Sequence, residues 1–235
     1  MSLIKNTKKR KYNKDLIYNF NIFESFNREG ETPEQLWSRL VNLIISGRAG
    51  EVSGIGGESY VFSQMKRLLK KNPQLIDDVC DLDSPSESAL LKACKSELDS
   101  LAKFLINNGA DVNKGDQFNC TPLHQSAVNK NPIIAKLLID AGANPNSKTK
   151  GGATPLILVF QDIRQSNEDN ALEAFKIIYN AGGDPYYKDM NGMNVWDFVE
   201  YATDSRFMFF IKFQRLFPEI VKEFKKVKIQ QRFDL

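Results

Sequence analysis

His124 is the one histidine of this 235-residue chain. It stands in the run CTPLHQSAVNK (Cys120 to Lys130), close behind Cys120 and Thr121. A thiol, a hydroxyl and an imidazole this near in sequence raise the chemistry of an activated nucleophile, in which a base takes the proton and a third group orients the base. Any such arrangement here must use His124. A single imidazole excludes a histidine metal cluster. The cysteines Cys80, Cys94 and Cys120 lack C-x-x-C spacing, so reduced, mostly buried thiols are expected rather than a disulfide framework or a thiolate metal site. The paired carboxylates Asp77–Asp78 and Glu168–Asp169 fall in predicted loops or helix ends and form no acid–base constellation. The glycine-rich run SGRAGEVSGIGGES (Ser46 to Ser59) fails as a phosphate loop. No Lys-Ser/Thr pair follows its glycines, and Gly54, Gly56 and Gly57 miss G-x-G-x-x-G. It reads as a connector. The expectation is a chain with no catalytic residues, no metal, no cofactor and no small-molecule substrate.

The elements that must position His124 come from an internal repeat. The segments SALLKAC (from Ser88), TPLHQSA (from Thr121) and TPLILVF (from Thr154) recur at a period of 33 residues. A second marker keeps step, GADVN from Gly109 and GANPN from Gly142, again 33 apart, with a weaker GGDPY starting at Gly182, 40 residues on. Within a unit, Thr121 is a natural helix N-cap, and Pro122 suits the first helical position, where no amide donor is needed. A short helix follows, then a break near Asn129 to Pro132, then the apolar helix IIAKLLIDAG, with Gly142 expected as a left-handed cap. A polar hairpin-like loop leads to the next Thr-Pro. So short a helix pair cannot bury its own apolar face and needs a stacked neighbour.

These motifs resemble the ankyrin-repeat family, whose mark is T-P-L-H-x-A near the start of a 33-residue unit. Phe118 to Asn146 match it best, and the pattern extends with falling fidelity over Gly57 to Tyr201. Leu91 and Ile157 replace the histidine in the second and fourth units, and Asn194 to Asp197 replace T-P-L-H in the last. The seven extra residues of the fourth unit are expected between its helices, near Gln165 to Asn170. The first unit is degenerate, with only its second helix easy to see. The resemblance implies an all-α solenoid of four to five helix-turn-helix units with helical caps at both ends. It also implies that His124 hydrogen-bonds the repeat's tight turns, and that Cys120 is an ordinary loop residue.

The expected organisation is a basic, partly disordered segment over 1–30, an N-terminal helix and glycine-rich connector over 31–56, repeats over 57–204, and capping helices over 205–235. Thr32-Pro33-Glu34 starts a helix with an apolar face through Leu36, Trp37, Leu40, Leu43 and Ile44. It is read as a cap, with a partner-binding helix as the alternative. The stretch Arg206 to Lys228 is aromatic and basic. Phe209, Phe213, Leu216 and Phe217 can share one face, and Pro218 starts a new helix. Closing the last repeat is preferred here over lying on a membrane, which leaves Lys222, Lys225, Lys226 and Lys228 as a solvated face. The run KKRK (Lys8 to Lys11) has the composition of a nuclear-localisation or nucleic-acid patch, but a solvated tail is preferred.

Composition agrees with a globular chain: 42% hydrophobic, 26% charged and a formal net charge of +3, too small to imply a nucleic-acid or membrane partner for the whole molecule. No apolar stretch is long enough for a transmembrane helix, and the basic N-terminus lacks the apolar core of a secretory signal. The resemblance therefore implies a monomeric protein-interaction module inside a cell, binding one or more proteins through loop tips and inner helices. Its candidate contacts are Gln117, Phe118, Asn119, Gln125, Asn129, Lys148, Lys150, Tyr186, Met190 and Asn191, with Val128 and Gln161 beside them. The Lys-, Asn-, Ile- and Phe-rich usage and the non-repeat ends resemble ankyrin effectors that intracellular bacteria inject into host cells. A host or viral regulator is the alternative. An enzyme, or a membrane or nucleic-acid binder, built on the non-repeat termini is the second function class.

Overall fold

The computed structural model describes residues 30–49, 57–78, 87–164, 166–200 and 207–233. The expectations for the basic N-terminal segment and KKRK, for residues 50–56 of the connector, and for Cys80 lie outside them. The described residues form helices α1 (Pro33–Ile45), α2 (Gly57–Lys71), α3 (Ala89–Lys95), α4 (Asp99–Asn107), α5 (Pro122–Val128), α6 (Pro132–Asp140), α7 (Pro155–Val159), α8 (Glu168–Asn180), α9 (Val195–Glu200), α10 (Phe207–Leu216) and α11 (Pro218–Phe233), with a 3-10 turn at Pro73–Asp77. No strand occurs among the described residues, and no helix there is long and apolar enough to cross a membrane.

The helices stack in two rows. Short inner helices α3, α5, α7 and α9 pack successively on one another, as do the outer helices α4, α6 and α8. The inner helices of the middle units are mostly buried: α3 buries Ala89 to Cys94, α5 buries Pro122, Leu123, His124, Ser126 and Ala127, and α7 buries all five of its residues. A helix of about two turns is marginal alone, so burial between neighbours holds these in place. Helix α1, expected as an N-terminal cap, lies against the start of the stack. Helix α1 packs on both α2 and α3, and Phe62 of α2 stacks on Phe104 of α4 at 4.8 Å. The pair α1–α2 thus meets the second unit through α1 on α3 and through the Phe62–Phe104 stack. Thr32 and Gln35 cap α1 reciprocally, side chain to backbone, at 3.0 and 3.3 Å.

Two turns fix each unit. Between inner and outer helix the chain turns through a left-handed residue, Glu97, Lys130 and Asp162 in successive units, with φ of 55°, 51° and 50°. After the outer helix comes the expected glycine. Gly142 has φ 89°, and its neighbour Ala143 donates back to the Leu138 carbonyl at 2.9 Å. The extra residues of the fourth unit, expected between its helices, are divided: part lie in the link between α7 and α8, and part lengthen α8, which begins at Glu168 and has 13 residues against 9 in α6.

The last unit is closed by aromatic side chains. Phe213 of α10 is fully buried, with ring centres 5.0 Å from Phe175 and 6.0 Å from Trp196. Phe224 of α11 stacks on Trp196 at 4.3 Å. Lys212 reaches back to Glu168 at 3.0 Å and to Asp169 at 3.2 Å. One expectation is corrected: Leu216 does not share the buried face with Phe213 but is 58% exposed. It is the last residue of α10, where the chain turns at Phe217 into α11 and carries it off the core.

Candidate interaction surface

His124 is fully buried at the start of α5. Its Nδ1 accepts from the Thr121 amide at 3.1 Å and lies 2.8 Å from Thr121 Oγ1. A nitrogen that accepts from an amide carries no proton, so the other one does. Nε2 donates to the Ala153 carbonyl, 3.1 Å away in the next unit. Burial pushes the imidazole below its ordinary pKa, against backbone groups of Ala153 and Ser147 and the charge of Asp116, which pull it up. The ring is therefore a neutral strut between two units. The Thr121–His124 pair has the spacing of nucleophile and base, but both members are buried, and the third partner is a carbonyl rather than a carboxylate. Cys120 is half-buried. Burial first, then the Asp116 charge, raises its thiol pKa, away from the thiolate that nucleophilic chemistry requires.

The loops between units form fingers. Asp116 closes the first: its Oδ1 accepts from the Phe118 amide at 2.8 Å and the Cys120 amide at 2.9 Å. Thr149 and Asp189 hold the equivalent places, Asp189 accepting from the Asn191 and Met193 amides at 2.9 Å each. Neighbouring fingers are joined at their tips. The Lys150 amide donates to the Phe118 carbonyl at 2.8 Å, and the Met190 amide donates to the Gly151 carbonyl at 2.9 Å. Gly152, with φ 76°, permits this approach, since a Cβ there would meet the Met190 amide nitrogen at 3.2 Å. The outcome is a rigid edge carrying exposed apolar side chains, Phe118 at 60% and Met190 at 78%.

A family model for ankyrin repeats in three copies matches residues 60–149 and 90–189, together more than half of the chain. The chain belongs to the ankyrin-repeat family. It is 29% identical over 140 residues to human BCL-6 corepressor-like protein 1, covering 57% of this chain and 7% of that protein. It is 28% identical over 123 residues to an ankyrin repeat-containing protein of Treponema pallidum, covering 52% and 39%. It is 37% identical over 71 residues to an ankyrin repeat protein of Rickettsia bellii, covering 28% and 10%. The chain thus spans well under half the length of each of these relatives. Ankyrin repeats are in general protein-interaction modules and in general not enzymes.

On this ankyrin framework the expected contact residues divide into two groups. Gln117, Phe118, Asn119, Lys148, Lys150, Tyr186, Met190 and Asn191 are exposed along the fingers. Lys148 Nζ lies 4.0 Å from the centre of the Tyr187 ring, and the Tyr186 ring lies 6.4 Å from that of Trp196. Gln125 and Asn129 are only part-exposed and have structural partners. Gln125 donates to Cys120 Sγ at 3.4 Å, and Asn129 ties the end of α3, donating to the Cys94 and Lys95 carbonyls at 3.0 and 3.2 Å. Gln161 is exposed, but in the turn after α7 rather than within it.

The residues that sequence reasoning missed form a ladder at the base of the fingers. Asn113 donates to the Gly142 carbonyl at 3.2 Å and accepts from the Asn144 amide at 2.8 Å. Asn146 repeats this one unit on, with the Gly182 carbonyl and the Asp184 amide, each at 2.8 Å. Asp77 accepts from the Asp111 amide at 2.9 Å at the start of the ladder. The signal was present, since asparagine ends both GADVN and GANPN. In GGDPY the position is Tyr186, where the described solenoid passes to the capping helices and no further glycine carbonyl follows in step.

Proposed function

We propose that the chain acts as a non-enzymatic binding module that holds a partner protein along its finger edge. The observation that carries this reading is the exposure of Phe118 and Met190 on tips locked by backbone hydrogen bonds. Tips whose backbone is already fixed need no loop ordering on binding, and the large apolar side chains they carry gain the energy of burial. The neutral, buried His124 supports the same reading, because the best nucleophile–base pair in the sequence is engaged in holding two units together.

Chemical cross-linking of the full chain in cell lysate, followed by mass spectrometry, tests it. The Phe118→Ala/Met190→Ala double variant is expected to lose the cross-linked partner while keeping the parent melting temperature. Capture that survives this variant but is lost on removing residues 1–30 would move the function to the termini. The host-cell effector role is part of this proposal, supported by the residue usage. A translocation reporter fused to the chain, read out inside host cells, decides it.

A further inference from the structure

The finger edge alternates in chemistry. The two backbone hydrogen bonds that join the tips bring Phe118 beside Lys150 and Gly151, and these beside Met190. Along the edge the order is therefore apolar, cationic, apolar. Lys150 is exposed, and no carboxylate among the described residues lies within ion-pair distance of it. Lys188 is exposed in the same way, and the Lys148 ammonium rests on the Tyr187 ring. The acids of the fingers are turned to other work. Asp116 and Asp189 each accept from two amides of their own turn, and Asp184 accepts from the Tyr186 amide at 2.8 Å. Cations thus face solvent at the tips, while the acids are engaged by backbone beneath them.

Resting on the binding reading above, we infer that the finger edge takes an extended acidic peptide of the partner, with one carboxylate between two large apolar side chains. Lys150 meets the carboxylate, and Phe118 and Met190 take the apolar residues. Hydrogen-bonded neighbouring backbones lie about 4.8 Å apart, and Lys150 and Gly151 are one residue step apart, so the three joined tips span roughly 13 Å. An extended strand places residues i, i+2 and i+4 on one face over about 13 Å. The acid therefore stands at the middle position, with apolar residues two places to either side. A lysine at a water-exposed edge contributes register and specificity more than raw affinity, and the two apolar contacts supply most of the hold.

The test uses the full chain and a displayed library of random twelve-residue peptides. Enriched sequences are expected to carry Asp or Glu flanked at two-residue spacing by Phe, Leu, Ile, Met, Tyr or Trp. A fluorescein-labelled peptide from that set is then titrated by anisotropy. Lys150→Glu is expected to weaken binding at least tenfold, and a peptide with Lys in place of its acid is expected to regain affinity for Lys150→Glu alone. Phe118→Ala/Met190→Ala is expected to abolish binding, with circular dichroism melts matching the parent. Enriched peptides without a carboxylate, or failure of the charge swap, overturn the inference and leave the binding reading intact. So does a failure to enrich any peptide while the cross-linked partner still depends on Phe118 and Met190. Failure of both peptide enrichment and cross-linking overturns both.

Discussion

The imidazole of His124 spans two units: Nδ1 accepts from the Thr121 amide, and Nε2 donates to the Ala153 carbonyl at 3.1 Å. The residue that most resembles a catalytic base is thus a staple between the third unit and the finger that leads into the fourth. His124→Ala leaves a buried amide and a buried carbonyl short of a partner and opens a cavity. The expected loss is about 2–4 kcal/mol, read by urea denaturation. Should the variant lose an activity while keeping its stability, the structural role is wrong.

The same strut sets a pH dependence. Burial holds the folded-state pKa of His124 below its ordinary value, so below that ordinary value, about 6.5, the unfolded chain takes up the proton more readily than the folded one. Stability from this group is complete above about pH 6.5 and falls as the pH drops toward the folded pKa, by at most about 1.4 kcal/mol per pH unit. The melting temperature is expected to fall between pH 7.5 and 5.5, and His124→Gln to flatten that fall. Equal slopes in parent and variant would assign the effect to carboxylates.

Thr121 and Thr154 head equivalent helices, but Ile157 stands where His124 does, and Thr154 Oγ1 is buried without a hydrogen-bond partner among the described residues. Removing a hydroxyl that bonds nothing costs little, since its desolvation was never offset. Thr154→Val is expected to leave the denaturation midpoint unchanged or raise it. Thr121→Val, which loses the contact to His124, is expected to cost about 1–2 kcal/mol.

Asn146 holds the Gly182 carbonyl and the Asp184 amide. Asn146→Ala is expected to cost about 1–3 kcal/mol, with the Asp184 amide exchanging hydrogen faster than in the parent. Unchanged exchange there would show that the ladder is not what orders the last described finger base.

At the C-terminal closure, Phe213 is fully buried and Leu216 is 58% exposed, three residues on in the same helix. Phe213→Ala is expected to cost about 3–5 kcal/mol, and Leu216→Ala within about 0.5 kcal/mol. Thermal melts of the two variants separate a closing helix from a loosely attached one.

Much of the scaffold was legible because local signals agree with one another. Thr121, Pro122 and Gly142 announce their caps by residue type, and the 33-residue period shows where each must recur. The last unit was readable only in part. Asn194 accepts from the Trp196 amide at 2.9 Å, and Asp197 accepts from the Asn194 amide at 2.8 Å. Asn and Asp thus rebuild the cap that Thr121 and His124 make, with a short acid where His124 has a ring. Leu216 falls on the apolar face by helical periodicity, yet it is exposed, because periodicity alone does not say where a neighbouring helix ends. The role of Asn129 is not legible locally, because its partners, two carbonyls at the end of α3, lie far from it in sequence.

The sequence by itself determined the repeat, the family and the caps at Thr121, Pro122 and Gly142, because caps, prolines and glycines act on the few residues beside them. The tertiary structure decided what those residues are for. Only stacking brings Ala153 to His124, Gly182 to Asn146 and Met190 to Gly151, since each contact joins one unit to the next. The identity of the buried strut and the shape of the exposed edge therefore belong to the stack and not to any single unit.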